Sequence, residues 1–187
     1  MLREILLAFY LIYYSSCCAP SAPQRAALRA QATMFRAVPG AYPSVPVGFV
    51  NFRQRGNRML VNGRVVGLTP GFHGMHVHAI GDLGNGCLNA GPHYNPNNQT
   101  HGSRTSAIRH VGDLGNIFAR QNGVARFRFF IGGGRLSLTG PQSIVGRTVV
   151  VHAGQDDLGQ GTANDSSTTG NSGARVACGI IVPDRTG

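Results

Sequence analysis

The sequence predicts an all-β domain built from short strands and many turns. Three observations point there. The 187 residues include 27 glycines, roughly twice the usual usage of about 7%, and these punctuate short apolar segments throughout. Several segments alternate with the period of two that strands require, with no sustained helical period. Gln121-Asn122-Gly123 stands between two of them as a hairpin signal. A chain of this length supports one domain of ordinary size, with about thirty to forty residues left over.

From the N-terminus, residues 1–19 read as a signal peptide-like segment. Met1-Leu2-Arg3-Glu4 precedes an apolar run over residues 5–14, too short to cross a bilayer, and small residues up to Ala19 follow. Residues 20–46 are rich in Arg, Ala and Pro and contain no acid, which suits a spacer or an organelle transit-like segment. The domain is expected over 47–187. Within it, residues 48–54 alternate as a strand. Residues 60–68 form a second, with Asn62-Gly63 as a turn or bulge inside it. Further strands are expected over 72–78, 117–121, 125–131, 136–138, 144–152 and 175–182. Two long stretches rich in Gly and polar residues remain, one carrying His93 and His101 and one spanning 153–173. Loops longer than about fifteen residues inside a domain are usually functional.

All 17 basic residues are arginine against seven acids, so the net charge of +10 and the pI near 10.7 hold across physiological pH. The arginines are dispersed through strands and turns, with no basic helix and no aromatic interleaving, which argues against specific nucleic-acid binding. The charge suits instead the attraction of small anions or contact with an acidic polymer or surface. Of the four cysteines, Cys17 and Cys18 fall in the leader and Cys87 and Cys178 in the domain. The latter two are either buried thiols or a bond closing a long loop, worth about 4 to 5 kcal/mol on the chain-entropy account.

Six of the seven histidines, His76, His78, His93, His101, His110 and His152, fall in one stretch with Asp113. Strand geometry sends His76 and His78 to one face, half of a tetragonal nitrogen site. His93, His101, His110 and Asp113 offer three nitrogens and one oxygen, a set suited to tetrahedral zinc. His152 ends the apolar run Thr148-Val149-Val150-Val151. A lone histidine in an Asn-rich loop is ordinarily solvated, and only the joint arrangement indicates two neighbouring metal ions. His73 has no such companion and is read as a packed, hydrogen-bonded side chain.

The ordered string Gly74-Met75-His76-Val77-His78, Gly81-Asp82, Gly86-Cys87, Gly91-Pro92-His93, His101-Gly102, Arg109-His110, Gly112-Asp113, Gly146 to His152, Asp156-Asp157 and Arg175-Val176-Ala177-Cys178-Gly179 closely resembles the copper/zinc superoxide dismutases. The resemblance covers about residues 47–182. It implies an eight-stranded Greek-key β-barrel or sandwich, immunoglobulin-like, with two long functional loops, an architecture general to that family rather than derived from these residues. It also implies dismutation of superoxide to dioxygen and hydrogen peroxide by a copper redox cycle. His76, His78, His93 and His152 become copper ligands, and His93, as the bridge, joins His101, His110 and Asp113 at zinc. Asp156 is then hydrogen-bonded to one histidine of each metal. Cys87 and Cys178 form the disulfide, and Arg175 holds the superoxide anion. His93 and Arg175 are the catalytic pair.

The expected partners are superoxide, a second copy of the chain, a copper chaperone that loads the metal, and a polyanion. Secretion is the expected location, with an organelle or the cytoplasm as alternatives. Asn98 and Asn164 each begin an Asn-x-Ser/Thr sequon. Three departures from the family stand out. Pro39, Pro43 and Pro46 fall where its first strand and turn lie, which suggests a shortened or edge strand. Gly154 and Thr168 occupy loop positions where the family usually has lysine. Val182-Pro183 replaces residues that usually pack in the dimer contact. Two rival functions share the scaffold. A copper chaperone is expected to lack part of the copper set and to carry an extra cysteine pair, whereas this set is complete and no Cys-x-Cys occurs. A zinc-stabilised, catalytically silent module is expected to lack a copper ligand.

Overall fold

The computed structural model describes residues 28–184. The signal-like segment 1–19 lies outside them. Nine strands follow in order: β1 (Leu28–Arg36), β2 (Pro46–Arg55), β3 (Arg58–Val65), β4 (Gly71–His78), β5 (Asp113–Ala119), β6 (Ala125–Ile131), β7 (Thr148–His152), β8 (Arg175–Ile180) and the two-residue β9 (Val182–Pro183). Each pairs antiparallel in the order β2-β3-β6-β5-β4-β7-β8-β1, and the additional β1–β2 ladder closes the sheet on itself. Because β9 takes up the same side of β1 that β8 leaves, the two act as one bent strand and the barrel has eight. The crossovers from β3 to β4 and from β6 to β7 make it a Greek key. Closure leaves no open edge.

Alternation fills the interior. Ala30, Ala32 and Met34 of β1 face inward, as do Val50 and Phe52 of β2 and Met59, Val61 and Val65 of β3. Leu68, Leu136, Leu138 and Ile144, carried by connections, cap the core. With no tryptophan in the chain, Met34, Met59 and Met75 supply much of the adaptable bulk.

β1 lies inside residues 20–46, the stretch expected to be a spacer. It runs nine residues with an alternating burial pattern and is paired on both sides, so it is neither shortened nor at an edge. Pro39 and Pro43 fall in the β1–β2 connection, and Pro46 opens β2, where a missing N–H is tolerated. Asn62-Gly63 is no turn, because β3 passes through it in unbroken register with β2 and β6. The glycine is there for clearance: a Cβ at 63 would strike the Phe49 carbonyl and, at 2.7 Å, the Phe127 ring. Residues 136–138 and 144–147 form no strand beyond the bridge between Ser137 and Ser143. The Asn122-Gly123 hairpin is where it was expected, with Gly123 at φ 70° and its N–H donating to Arg120 O at 2.8 Å.

Candidate metal centre

The centre sits where the ends of β4, β5 and β7 meet the two long loops, 79–112 and 153–174. His76 and His78 leave β4 two residues apart, and His152 is the last residue of neighbouring β7. Asp113 opens β5 on the other side of β4, opposite His76. The first loop is pinned by Tyr94 N–H to Val77 O at 2.8 Å and Gly112 N–H to Tyr94 O at 2.9 Å, which sets His93 against His78. His101 N–H donates to Ser167 O at 2.8 Å, tying the first loop to the second. All six histidines and Asp113 are buried.

Two groups of donor atoms result. His76, His78, His93 and His152 present nitrogens that lie within 4.8 Å of one another; His76, His93, His101 and Asp113 do the same. In the first group the Nε2 atoms of His78 and His152 face each other at 3.3 Å. In the second, Asp113 Oδ1 lies 3.1 Å from His93 Nδ1, 3.0 Å from His101 Nδ1 and 3.2 Å from His110 Nδ1. Asp113 Oδ2 is turned away and accepts the N–H groups of His110 and Gly102 at 2.8 and 3.0 Å. His76 and His93 belong to both groups, and His110 reaches the second through Asp113 and through its Nδ1, 3.3 Å from that of His93.

Four of the rings have an acceptor on the outer nitrogen. His78 Nδ1 meets Gly91 O at 2.7 Å and His152 Nδ1 meets Gly173 O at 3.0 Å. His76 Nε2 and His101 Nε2 meet the two oxygens of Asp156 at 2.9 and 2.7 Å. In His76, His78 and His152 these acceptors hold the outer proton and leave the inward nitrogen with a free lone pair; His101, between two carboxylates, gives up its inward proton when a metal binds. His76 Nδ1 and His93 Nε2 are buried without a hydrogen-bond partner, and the only neighbour of His101 Nδ1 is the Asp113 carboxylate at 3.0 Å. Buried polar atoms are normally satisfied, and two convergent orphan nitrogens beside a carboxylate fit cations rather than a protein partner.

Asp156 is the strut between the groups. Asn116 grips its backbone from both sides, Nδ2 donating to Asp156 O and Oδ1 accepting from Asp156 N–H, each at 2.8 Å. Gly170, at φ 67°, is required beside it, since a Cβ there would meet Asp156 Oδ1 and His101 Nε2. Asp156→Asn is expected to weaken binding at both groups by about 10- to 100-fold, as loss of an outer carboxylate partner typically does. Competition titration with a chelator checks this; an effect confined to one group contradicts the strut.

Electrostatics follow from the packing. Burial, then the charge of the neighbouring His93 imidazole, pushes His76 and His78 well below the usual range; burial lowers His93 against the opposing pull of Asp113 and takes His152 down to about 4. Burial also pulls on His101, but hydrogen bonds to Asp113 and Asp156 outweigh it and raise the ring to about 9. Burial opposes ionisation of the two carboxyls as well, yet their imidazole partners hold both below the carboxylate range. In metal-free protein, rings lowered in the folded state contribute stability that is complete above the unfolded value near 6.5 and lost below it. His101, raised, contributes stability complete below about 6.5 and lost as pH climbs through about 9. Thermal melts of the metal-free chain across pH are therefore expected to peak near pH 6.5, falling more steeply on the acid side, where four rings act. A flat profile contradicts this.

The model of the copper/zinc superoxide dismutase family matches residues 46–181. The chain belongs to the copper/zinc superoxide dismutases. An extracellular copper/zinc superoxide dismutase of Haemonchus contortus is 50% identical over 154 residues, 82% of this chain and 83% of that protein. A copper/zinc superoxide dismutase of Onchocerca volvulus is 55% identical over 139 residues, 72% of this chain and 87% of the other. Among solved structures, the clock protein EA4 superposes with a TM-score of 0.73 at 41% identity, covering 82% of this chain and 93% of that one. The enzyme dismutates superoxide to dioxygen and hydrogen peroxide, with copper and zinc as cofactors.

In this superoxide dismutase Cys87 and Cys178 are joined, 91 residues apart in sequence. Of the two alternatives the cysteines form the disulfide, and Leu83, Ala90 and Val150 pack around it as a small second core. Arg175, three residues from Cys178, donates Nη1 to Cys87 O at 2.6 Å and Leu88 O at 3.2 Å, and Nη2 to Gly91 O at 2.6 Å. Gly91 O also accepts from His78, so the guanidinium and a histidine of the first group share one anchor. His73 is buried as expected, and it links the centre to the barrel: Nδ1 meets His152 O at 2.7 Å and Nε2 meets Thr69 O at 2.8 Å. Asn116 is the supporting residue that sequence reasoning did not single out. An Asn in a strand-like run carries no local signal for a partner forty residues on.

Proposed function

We propose that His76, His78, His93 and His152 hold copper, that His93, His101, His110 and Asp113 hold zinc, and that His93 serves both. The observation that carries this is the set of buried, unpartnered inward nitrogens, with His93 Nδ1 on the Asp113 side and Nε2 free on the other. Copper supplies one-electron redox chemistry and zinc a fixed positive charge. Arg175 binds the substrate anion. A guanidinium has five N–H donors, and three bonds to carbonyls leave two for superoxide beside His78. His93 Nε2 would take up a proton from solvent and pass it to the reduced anion, water supplying the second proton, while Asp113 and His110 keep its Nδ1 side fixed. The carbonyl and carboxylate acceptors on the outer nitrogens keep the other rings from turning.

Arg175→Gln is expected to lower kcat/KM by on the order of tenfold with copper and zinc content unchanged, because it removes charge-assisted bonds to the anion. With Gly154 and Thr168 in the long loop and no lysine in the chain, the wild-type rate is expected to depend less on ionic strength than in lysine-bearing family members. Stopped-flow dismutation over a salt series checks both, and a steep fall with salt contradicts the second.

The proposal extends to location and assembly. Secretion is supported by the signal-like residues 1–19, by relatives named extracellular, and by a disulfide, which suits an oxidising compartment. Ile80, Leu88 and Val182 are exposed apolar side chains available to a homodimer contact, and loading by a copper chaperone belongs to the same reading. A polyanion contact is supported by the net charge of +10.

A further inference from the structure

We propose that the cleft beside the second metal group is a binding site for a small hydroxylated monocarboxylate, which ties the two long loops together over that group. The cleft has a volume of about 640 Å³. Small-molecule sites run from about 300 to 1,000 Å³, so it is of the size for an organic molecule, and superoxide would leave it nearly empty. The buried rings of His93 and His110 form part of its lining, whereas His78, His152 and Arg175 are absent from it. It is therefore separate from the place assigned to the substrate anion. Its effect on metal retention rests on the reading of the second group as the zinc group.

Arg147 sets the charge of the ligand. Of the residues lining the cleft it is the one permanent cation, and none is a carboxylate. Among the described residues the ion pairs join only histidines and aspartates, so its charge has no salt-bridge partner. Its position is already fixed: Nε donates to Ser143 O at 3.0 Å, Nη1 donates to Ala79 O at 2.6 Å, and the guanidinium carbon lies 3.6 Å from the centroid of the Tyr94 ring. Two of its five N–H donors are used in this way and three remain. A planar fork held in place beforehand loses little freedom on binding and matches a carboxylate. One fixed cation balances one negative charge, which favours a monocarboxylate over a phosphate dianion. The rest of the lining selects hydroxyls. Thr100 and Ser167 are exposed, and no hydrogen bond within the described residues engages either hydroxyl. They belong to different loops, Thr100 next to His101 in the first and Ser167 in the second, and His101 N–H already donates to Ser167 O at 2.8 Å across the seam. A ligand whose carboxylate takes the Arg147 fork and whose hydroxyls take Thr100 and Ser167 closes that seam. Zinc leaves only when the loops part, so ligand and metal favour the same arrangement and each retains the other.

The test uses purified, metal-loaded full-length enzyme, with gluconate as the probe and sorbitol, which carries hydroxyls without the charge, as the control. Titration calorimetry is expected to show saturable binding of gluconate and none of sorbitol. Arg147→Gln, which loses the charge-assisted fork, weakens gluconate binding by about tenfold or more, and Ser167→Ala by about threefold. Ser167→Ala leaves Arg147 and the backbone bond to His101 in place, so it tests the site even where the first variant folds poorly. With gluconate at about ten times its Kd, zinc transfer to a chelator slows about tenfold in the wild-type enzyme and by less than about threefold in Arg147→Gln at the same concentration. Absence of binding, equal binding of sorbitol, or undiminished affinity in both variants overturns the proposal. Tighter binding of inorganic phosphate overturns the monocarboxylate assignment, and gluconate binding with zinc release unchanged overturns the loop-closing role. The calorimetric result does not depend on which ion the second group holds, so a failure of the zinc reading shows separately, in metal analysis.

Discussion

Replacing His152 by alanine is expected to cost more than about 100-fold in dismutation, beyond what loss of an outer partner removes, and to empty the copper group while zinc stays bound. The ring closes the first group from β7, its Nε2 3.3 Å from that of His78, and contributes nothing to the three nitrogens around Asp113 Oδ1. Its removal leaves His76, His78 and His93 as a three-nitrogen remnant and exposes one side to water. Metal analysis of the purified variant beside a stopped-flow assay reads both effects. Equal loss of copper and zinc would show that the residue supports the fold as a whole, and retained activity would exclude it from the copper group.

Cys87→Ser/Cys178→Ser is the second large effect. Closing a loop of 91 residues contributes about 4 to 5 kcal/mol on the chain-entropy account, which for a domain of this size is roughly 10 to 20 °C in Tm. Activity should fall further than stability alone explains. The cysteine loop supplies the carbonyls of Cys87, Leu88 and Gly91 that fix Arg175, and Gly91 O also fixes His78. Calorimetry of the metal-loaded variant, with kcat/KM at a temperature where it remains folded, separates the two. A Tm within about 3 °C of wild type contradicts the loop-closure account.

The candidate site was far more legible in the sequence than the edges of the fold. Metal-type ligands announce themselves by residue identity, and the His76-x-His78 spacing already fixes a shared face. The missing element was β1. Its inward residues, Ala30, Ala32 and Met34, are small or flexible, and with Arg29 and Arg36 they read as the composition of a transit segment. Only the ladders to β2 and β8 reveal that a narrow part of the barrel takes alanines there. Asn62-Gly63 misled for a related reason, because glycine marks a need for space as often as a turn, and the Phe127 ring that needs it is 64 residues away. The apolar residues at 136, 138 and 144 cap the core from a connection, where burial without pairing imitates a strand pattern. Asn116 and Gly170 stabilise Asp156 across the loops, and neither contact has a local sequence signature.

The central claim is that His93 is the ring shared by two metal ions, and crystallography of the copper- and zinc-loaded enzyme with anomalous data at each absorption edge tests it most directly. The account predicts copper among His76, His78, His93 and His152, zinc among His93, His101, His110 and Asp113, and the two nitrogens of His93 directed at different ions. A single ion in the pocket, copper and zinc exchanged between the groups, or a His93 ring turned away from either ion would contradict it.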